Sequence, residues 1–155
     1  RPKIADYPFT TIHPNLGVVK VANEDSFVIA DIPGLIEGAH KGSGLGLRFL
    51  RHIERTRILL LVVDVSVSNV EDPVTQAEVL CSEISQHSLT LTRKPTVAVA
   101  SKVDSVDDTK LEALAQWCRQ KNIELVRISS VTNKGLDELK RNVVLKLKSA
   151  DETSG

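Results

Sequence analysis

The sequence contains no methionine, and its first residue is Arg1. Because translation begins with methionine, we expect the 155 residues to be a processed product, an excised domain or an incomplete record. Targeting signals at the true N-terminus therefore lie outside what these residues can show.

The sequence also lacks net charge and long apolar runs. Its 20 basic residues balance 20 acidic ones, which argues against nucleic-acid binding driven by bulk charge and leaves local patches open. No apolar run is long enough to span a membrane. Two cysteines, Cys81 and Cys118, are far apart without metal-like spacing, so we expect reduced, buried thiols in an intracellular protein. The expected location is cytoplasmic, with an organelle as the alternative.

The most informative stretch follows the apolar run over residues 26–29. It consists of Ala30, Asp31, Ile32, Pro33 and Gly34. A buried strand here delivers Asp31 to a ligand edge and then breaks into a glycine-rich loop. The carboxylate can order a magnesium-bound water while the Gly34 N–H donates to a phosphate oxygen. An ordinary Pro-Gly turn is the alternative interpretation.

Strand and helix patterns alternate along the chain. Residues 16–22 and 26–31 predict an antiparallel hairpin. Later patterns predict strands at 58–64, 96–100 and 124–128, with helices that begin at Pro73, at Asp107 or Asp108, and near Leu136. This order predicts an α/β fold with a doubly wound, mostly parallel sheet and an antiparallel edge hairpin. We expect one domain over 1–148 and a polar tail over 149–155.

Polar residues follow three of the predicted strands. Asp31, residues 101–104 and Ser129 all stand at strand carboxyl ends, where doubly wound sheets bind ligands. The carboxylate of Asp104 could accept hydrogen bonds from N1–H and the exocyclic amine of guanine, a donor pair that adenine lacks. The stem of Lys102 could lie across the base. A charged turn is the alternative for this motif.

Two weaker signals accompany these. Ser129, Ser130 and Val131 offer hydroxyls and backbone N–H groups that could hold a base carbonyl oxygen, although serine is common at strand ends. Thr10 and Thr11 lie in a proline-rich opening loop, where a hydroxyl could bind Mg²⁺ and an N–H a phosphate. Two ordinary loop threonines are the alternative.

In order, the threonine pair, D-x-P-G, S-K-x-D and S-S-V resemble the G domain of translation-factor-type GTPases. Over residues 1–57 the sequence is similar to the Obg family in long, near-literal stretches. These stretches are Lys3–Thr11, Pro14–Gly17, Asp31–His40 and Leu50–Arg57. The resemblance covers essentially the whole chain, more loosely after residue 65.

The resemblance implies a Ras-like P-loop GTPase fold, binding of GTP and GDP, slow hydrolysis and Mg²⁺ as cofactor. It also implies a role in large ribosomal subunit assembly or stress signalling, with ribosomal RNA and proteins as partners of a monomer. Thr11 would bind the metal directly and Asp31 through a water. The implied nucleotide contacts are Phe9, Thr10, Thr11, Ile12 and His13 in the first switch, then Asp31, Ile32, Pro33 and Gly34, then Ser101, Lys102, Val103 and Asp104, and finally Ser129, Ser130 and Val131.

The chain departs from the family at its start. No G-x-x-x-x-G-K-[ST] is present. The family fold places that phosphate-binding loop ahead of Arg1, with a central strand before it and a helix after it. Without that strand the hairpin and the strand at 58–64 lack a shared neighbour. We therefore expect an incomplete G domain that is inactive by itself.

Two substitutions also matter. Ser101 stands where the family usually has Asn, so we expect guanine preference to persist with reduced affinity. Leu35 follows D-x-P-G, matching the Obg pattern, and cannot orient a water as the Gln of many GTPases does. No catalytic residue is assigned, and His40 is expected to be a solvated loop residue.

Alternative functions remain. Arg48, Arg51, His52, Arg55 and Arg57 form a basic cluster, which is expected to be a solvated helix face and could instead contact ribosomal RNA phosphates. On a second interpretation the chain is a nucleotide-free interaction module that keeps the fold and binds ribosomal RNA or protein. On a third it is an ATPase, against which Asp104 argues.

Overall fold

The computed structural model describes residues 16–21, 25–30 and 54–154. Within these residues the strands form two sheets, one of two strands and one of three. No helix in this part of the chain is long and apolar enough to cross a membrane.

The two-stranded sheet is the predicted antiparallel hairpin. Strand β1 (Leu16–Lys20) pairs with β2 (Ser26–Ala30), with Leu16 opposite Ala30 and Lys20 opposite Ser26. The backbone N–H of Val21 donates to the carbonyl of Asp25 at 2.8 Å and closes the turn. Strand β2 ends at Ala30, so Asp31 and the loop after it lie outside the described residues.

The three-stranded sheet is parallel, as predicted. It contains β3 (Leu59–Asp64), β4 (Thr96–Ser101) and β5 (Glu124–Arg127) in that spatial order. The register places Asp64 beside Ser101 and Ala100 beside Arg127. All three carboxyl ends therefore lie along one edge of the sheet.

Helices connect these strands. They are α1 (Pro73–His87), the single turn α2 (Leu89–Thr92), α3 (Asp108–Lys121) and α4 (Leu136–Ser154), with a 3₁₀ turn at Val103–Ser105. The predicted caps form: Asp107 accepts from the N–H of Thr109 at 3.0 Å and so begins α3, because side-chain acceptors satisfy the first N–H groups of a helix. The last helix continues through residue 154, into the stretch expected to be a polar tail.

Helices cover both faces of the parallel sheet. On one face the buried cluster joins β3 and β4 to α1 and α3; its members are Leu61, Val63, Val65, Ala77, Ala98, Ala100, Leu114, Trp117 and Cys118. On the other face Val97, Val99, Val126 and Ile128 pack against Leu60, Leu136 and Leu139. Cys118 is buried, as expected, whereas Cys81 is half-buried; both are free thiols whose pKa is raised by burial.

The hairpin and the parallel sheet do not hydrogen-bond to each other within the described residues. A cleft of about 1070 Å³ opens between them, lined by β2 on one side and by β3 on the other. Val28 of β2 is 65% exposed and Val62 of β3 is 55% exposed. Within the described residues, β2 and β3 therefore line the cleft without pairing with each other.

Candidate functional site

The described part of the site is the edge where β3, β4 and β5 end. The loop after β4 contacts the loop after β5, because the N–H of Val103 donates to the carbonyl of Ile128 at 3.1 Å. The N–H of Ile128 in turn donates to the carbonyl of Ala100 at 2.8 Å. These bonds bring residues 101–104 and residues 129–131 together, as the sequence predicted from the parallel order of the strands.

Asp104 is held by the neighbouring loop. The hydroxyl of Ser129 donates to Asp104 Oδ1 at 2.7 Å and accepts from the N–H of Thr132 at 3.1 Å. A hydroxyl has one proton, so this acceptance leaves that proton for the carboxylate. Ser129 is fully buried while Asp104 is exposed. The arrangement fixes a carboxylate at the rim of the sheet and leaves it open to a ligand.

The loop after β5 is closed on itself. The N–H of Ser129 donates to the carbonyl of Lys134 at 2.9 Å. Within this closed loop Ser130 and Val131 are exposed, and Val131 has 82% of its surface accessible. The predicted hydrogen bonds from the backbone N–H groups of these residues to a base carbonyl oxygen stay a prediction.

Lys102 extends in the opposite direction, towards β3. Its backbone is left-handed, with φ 63° and ψ 38°, and its Nζ lies 2.9 Å from Asp64 Oδ2. The left-handed conformation is uncommon outside glycine, asparagine and aspartate, so the surrounding bonds hold it in place. The lysine stem therefore runs along the edge of the sheet.

Asp64 receives two sets of bonds. Its Oδ1 accepts from the N–H of Ser66 at 2.8 Å, and its Oδ2 faces Lys102. Burial alone would raise the pKa of Asp64, but hydrogen bonds from Ser66 and the charge of Lys102 outweigh it and lower the pKa below the ordinary 3.8. Asp64 is therefore a carboxylate at neutral pH.

Ser101 ties the end of β4 to β3. Its hydroxyl donates to the carbonyl of Val63 at 3.3 Å, and its own carbonyl accepts from the N–H of Val65 at 3.2 Å. Among the described residues, the Ser101 side chain makes a single hydrogen bond, which is to the protein backbone.

Asp64 is not among the site residues predicted from the sequence. The sequence did contain an indication of such a role. Asp64 ends the apolar run over 58–64, and Asp31 likewise follows the apolar run over 26–29. The same rule, a carboxylate at the carboxyl end of a buried strand, points to both residues.

The remaining predicted site residues lie outside the described ranges. These are Phe9, Thr10, Thr11, Ile12, His13, Asp31, Ile32, Pro33 and Gly34, together with most of the basic cluster. Among the residues that are described, no three metal-binding side chains of the His, Cys, Asp or Glu type cluster together. Arg55 and Arg57, the described end of the basic cluster, are exposed.

Comparison with known proteins gives a family and several relatives. A family model described as "50S ribosome-binding GTPase" matches residues 1–102. GTPase Obg of Acidobacterium capsulatum is 51% identical over 144 residues, which cover 90% of this chain and 42% of that protein. GTPase Obg of Alkaliphilus metalliredigens is 47% identical over 154 residues, covering 99% of this chain and 36% of that protein. The chain thus spans about two fifths of the length of these curated relatives.

Solved structures share the fold at lower identity. The G domain of the T. maritima FeoB iron transporter matches with a TM-score of 0.62 and 21% identity, covering 94% of this chain and 82% of that one. The cytosolic domain of the same transporter in GDP form I matches with a TM-score of 0.64 and 22% identity, covering 96% and 53%. At this identity the match identifies the G-domain fold alone.

Proposed function

Because the chain belongs to the 50S ribosome-binding GTPase family, in its Obg group, we propose that it carries the base-reading half of a guanine nucleotide site. The observation that supports this most is the carboxylate of Asp104, held by the buried hydroxyl of Ser129 at the open edge of the parallel sheet. A fixed acceptor at that edge suits a ligand that offers two adjacent donors.

Guanine offers such a pair, in its N1–H and its exocyclic amine. The Asp104 carboxylate would accept from both, and charged hydrogen bonds of this kind are the strong ones. Adenine presents an acceptor at N1 and no donor at C2, so it would leave the carboxylate unpaired. The Lys102 stem, which runs along the same edge, would cover one face of the base.

The phosphate end of the proposed site lies on residues outside the described ranges. Thr11 and Asp31 offer a hydroxyl and a carboxylate, the oxygen ligands that Mg²⁺ prefers. They would hold the ion, Asp31 through a water, and the bound ion would neutralise phosphate charge. The Gly34 N–H would meet the terminal phosphate beside Ile32 and Pro33. The loops over 9–13 and 35–47 would form the two nucleotide-sensing switches.

Hydrolysis of GTP to GDP and phosphate is proposed to be slow. Leu35 follows the D-x-P-G motif, and a leucine side chain can neither donate to nor accept from an attacking water. We therefore propose a cytoplasmic switch whose nucleotide state is read by the large ribosomal subunit, in its assembly or in stress signalling.

The test uses isothermal titration calorimetry on the protein at its natural length and compares its affinities for GDP and ADP. We expect GDP to bind on the order of a hundredfold more tightly than ADP, the size of a lost charged hydrogen-bond pair. In Asp104→Asn the preference should move from GDP to xanthosine diphosphate, because the new amide donates to the xanthine 2-carbonyl and still accepts from N1–H.

Asp137→Asn is the matched control, since Asp137 is an exposed acid in the first turn of α4. It should leave both affinities unchanged. Equal binding of GDP and ADP by the unaltered protein would contradict guanine recognition and favour the ATPase interpretation. Binding of neither nucleotide, together with retained ribosomal RNA binding, would favour the interaction module.

A further inference from the structure

Two side chains of the loop after β4, which the proposed function assigns to the base, are bonded to different neighbours. Asp104 is bonded to Ser129, which follows β5, whereas Lys102 is paired with Asp64, at the end of β3. Each tether therefore lies on one side of β4. The first holds the carboxylate that the proposed function assigns to the base, and the second holds the lysine on the opposite side of β4.

Asp64 is itself held firmly. Its carbonyl accepts from the side-chain amide of Asn69 at 2.7 Å, and its Oδ1 accepts from the N–H of Ser66. Ser66 is fully buried, and its carbonyl accepts from Nζ of Lys110 at 3.2 Å. A carboxylate fixed in this way offers Lys102 one position for its ammonium group.

The segment after Asp64 also supports the loop after β4 through its backbone. The N–H of Val67 donates to the carbonyl of Ser105 at 2.9 Å, and the N–H of Asp107 donates to the carbonyl of Val65 at 2.9 Å. Ser66 and Val106 form an isolated antiparallel bridge. Asp64 thus begins a short segment that is hydrogen-bonded to the stretch over 101–107.

The Lys102 side chain needs such a partner. It is 62% exposed, and a solvated lysine samples many rotamers, whose loss on ordering opposes binding. An ammonium that is already held by a carboxylate has lost part of that freedom before a ligand arrives. Preorganisation of this kind lowers the cost of binding.

We propose that Asp64 is a positioning residue for guanine recognition: by holding Nζ of Lys102 it lays the lysine stem along the edge where the base binds. The proposal rests on the proposed function, because it concerns the same base site. Through Asp64, β3 takes part in base recognition together with β4 and the loop after β5. Asp64 does not touch the base; it acts through Lys102.

The test is a double-mutant cycle on GDP affinity with the protein at its natural length. Asp64→Asn should weaken GDP binding about fivefold in the unaltered background, the upper range for a partly exposed ion pair. In the Lys102→Met background, which keeps an unbranched side chain but removes the ammonium, the same change should have less than about a twofold effect. Asp64→Glu should restore part of the loss.

Asp25→Asn is the matched control. Asp25 pairs with Lys148 at 3.4 Å, and Lys148 is 61% exposed, which resembles Lys102. This ion pair joins the β1–β2 turn to α4, away from the proposed site, so the substitution should leave GDP affinity unchanged.

The outcomes separate the two proposals. If the unaltered protein does not prefer GDP to ADP, the proposed function fails and this inference fails with it. If GDP is preferred but Asp64→Asn changes its affinity equally in both backgrounds, or not at all, then guanine recognition stands and the role of Asp64 is rejected.

Discussion

At the scale of single residues, the side chain at position 101 limits what the end of β4 can do. Asparagine has one acceptor and two donor hydrogens, so it can bond a ligand and a neighbouring loop together. The Ser101 hydroxyl has one proton, which it donates to the carbonyl of Val63 at 3.3 Å. A serine in this position therefore braces the sheet and has no second donor to offer to a ligand.

Ser101→Asn should consequently tighten GDP binding. We expect a gain of about fivefold, the value of one net hydrogen bond, measured by calorimetry with the protein at its natural length. Ser85→Asn is the control, because Ser85 is an exposed serine whose hydroxyl bonds within α1, to the carbonyl of Ser82. An unchanged affinity in Ser101→Asn would show that the serine costs the site nothing.

The pairing of individual side chains was the least predictable feature at this scale. The sequence places Asp104 and Ser129 at adjacent strand ends, and the structure adds the bond between them. The pairing of Lys102 with Asp64 could not be predicted from the sequence, because a lysine side chain reaches many positions from one backbone site. The left-handed backbone that directs this side chain is also not indicated by the residue types around it.

At the scale of elements, the loop after β5 depends on one backbone position. Gly135, immediately before α4, has a φ of +77°, and a Cβ built on it would lie 1.9 Å from the carbonyl oxygen of Arg127. The close approach packs the end of the loop against β5. The loop that carries Ser129 therefore requires glycine at this point.

Gly135→Ala should destabilise the protein by about 2 kcal/mol or more, from backbone strain and the displaced carbonyl. Urea unfolding followed by circular dichroism measures this loss. Gly17→Ala is the matched control, since among the described residues a Cβ there would meet Ile29 Cγ2 alone, at an ordinary contact distance of 3.7 Å. Its effect should stay within about 0.5 kcal/mol. Equal stability of the two variants would contradict the requirement for glycine.

Hydrophobic patterns predicted the strands and long helices well, because burial imposes the periodicity directly. The core of β3 and β4 is apolar on both faces, as a covered parallel sheet requires. The single turns at Leu89–Thr92 and Val103–Ser105 were not predicted, since one turn is too short to show a period. The start of α2 is instead set by Ser88, whose hydroxyl accepts from the N–H of Leu91 at 3.0 Å.

At the scale of the whole molecule, the main feature is the cleft of about 1070 Å³ between β2 and β3. The described strands form two separate sheets, and β2 and β3 line opposite sides of this cleft. Strand edges carry unpaired N–H and C=O groups that are costly to bury. A parallel neighbour at β3 would add backbone hydrogen bonds and cover exposed apolar side chains such as Val62.

We therefore predict that a strand added in this cleft stabilises the sheet. The experiment extends the chain at its N-terminus with a strand, a phosphate-binding loop of sequence G-x-x-x-x-G-K-[ST] and a helix, in the order that the Obg resemblance implies. Amide hydrogen exchange should slow in both β2 and β3, since both edges gain partners, and GDP affinity should rise because phosphate contacts are added.

The control extension carries two prolines in the strand, because proline has no N–H to donate and breaks the ladder. It keeps the phosphate-binding loop and the added length. Slower amide exchange in β2 or β3 that persists with this control would therefore come from the added residues and their charge and not from strand pairing. Protection that appears in β3 but not in β2 would mean that the added strand joins the parallel sheet without bridging to the hairpin. Exchange rates equal to those of the unextended chain in both strands would show that the cleft is not a strand site.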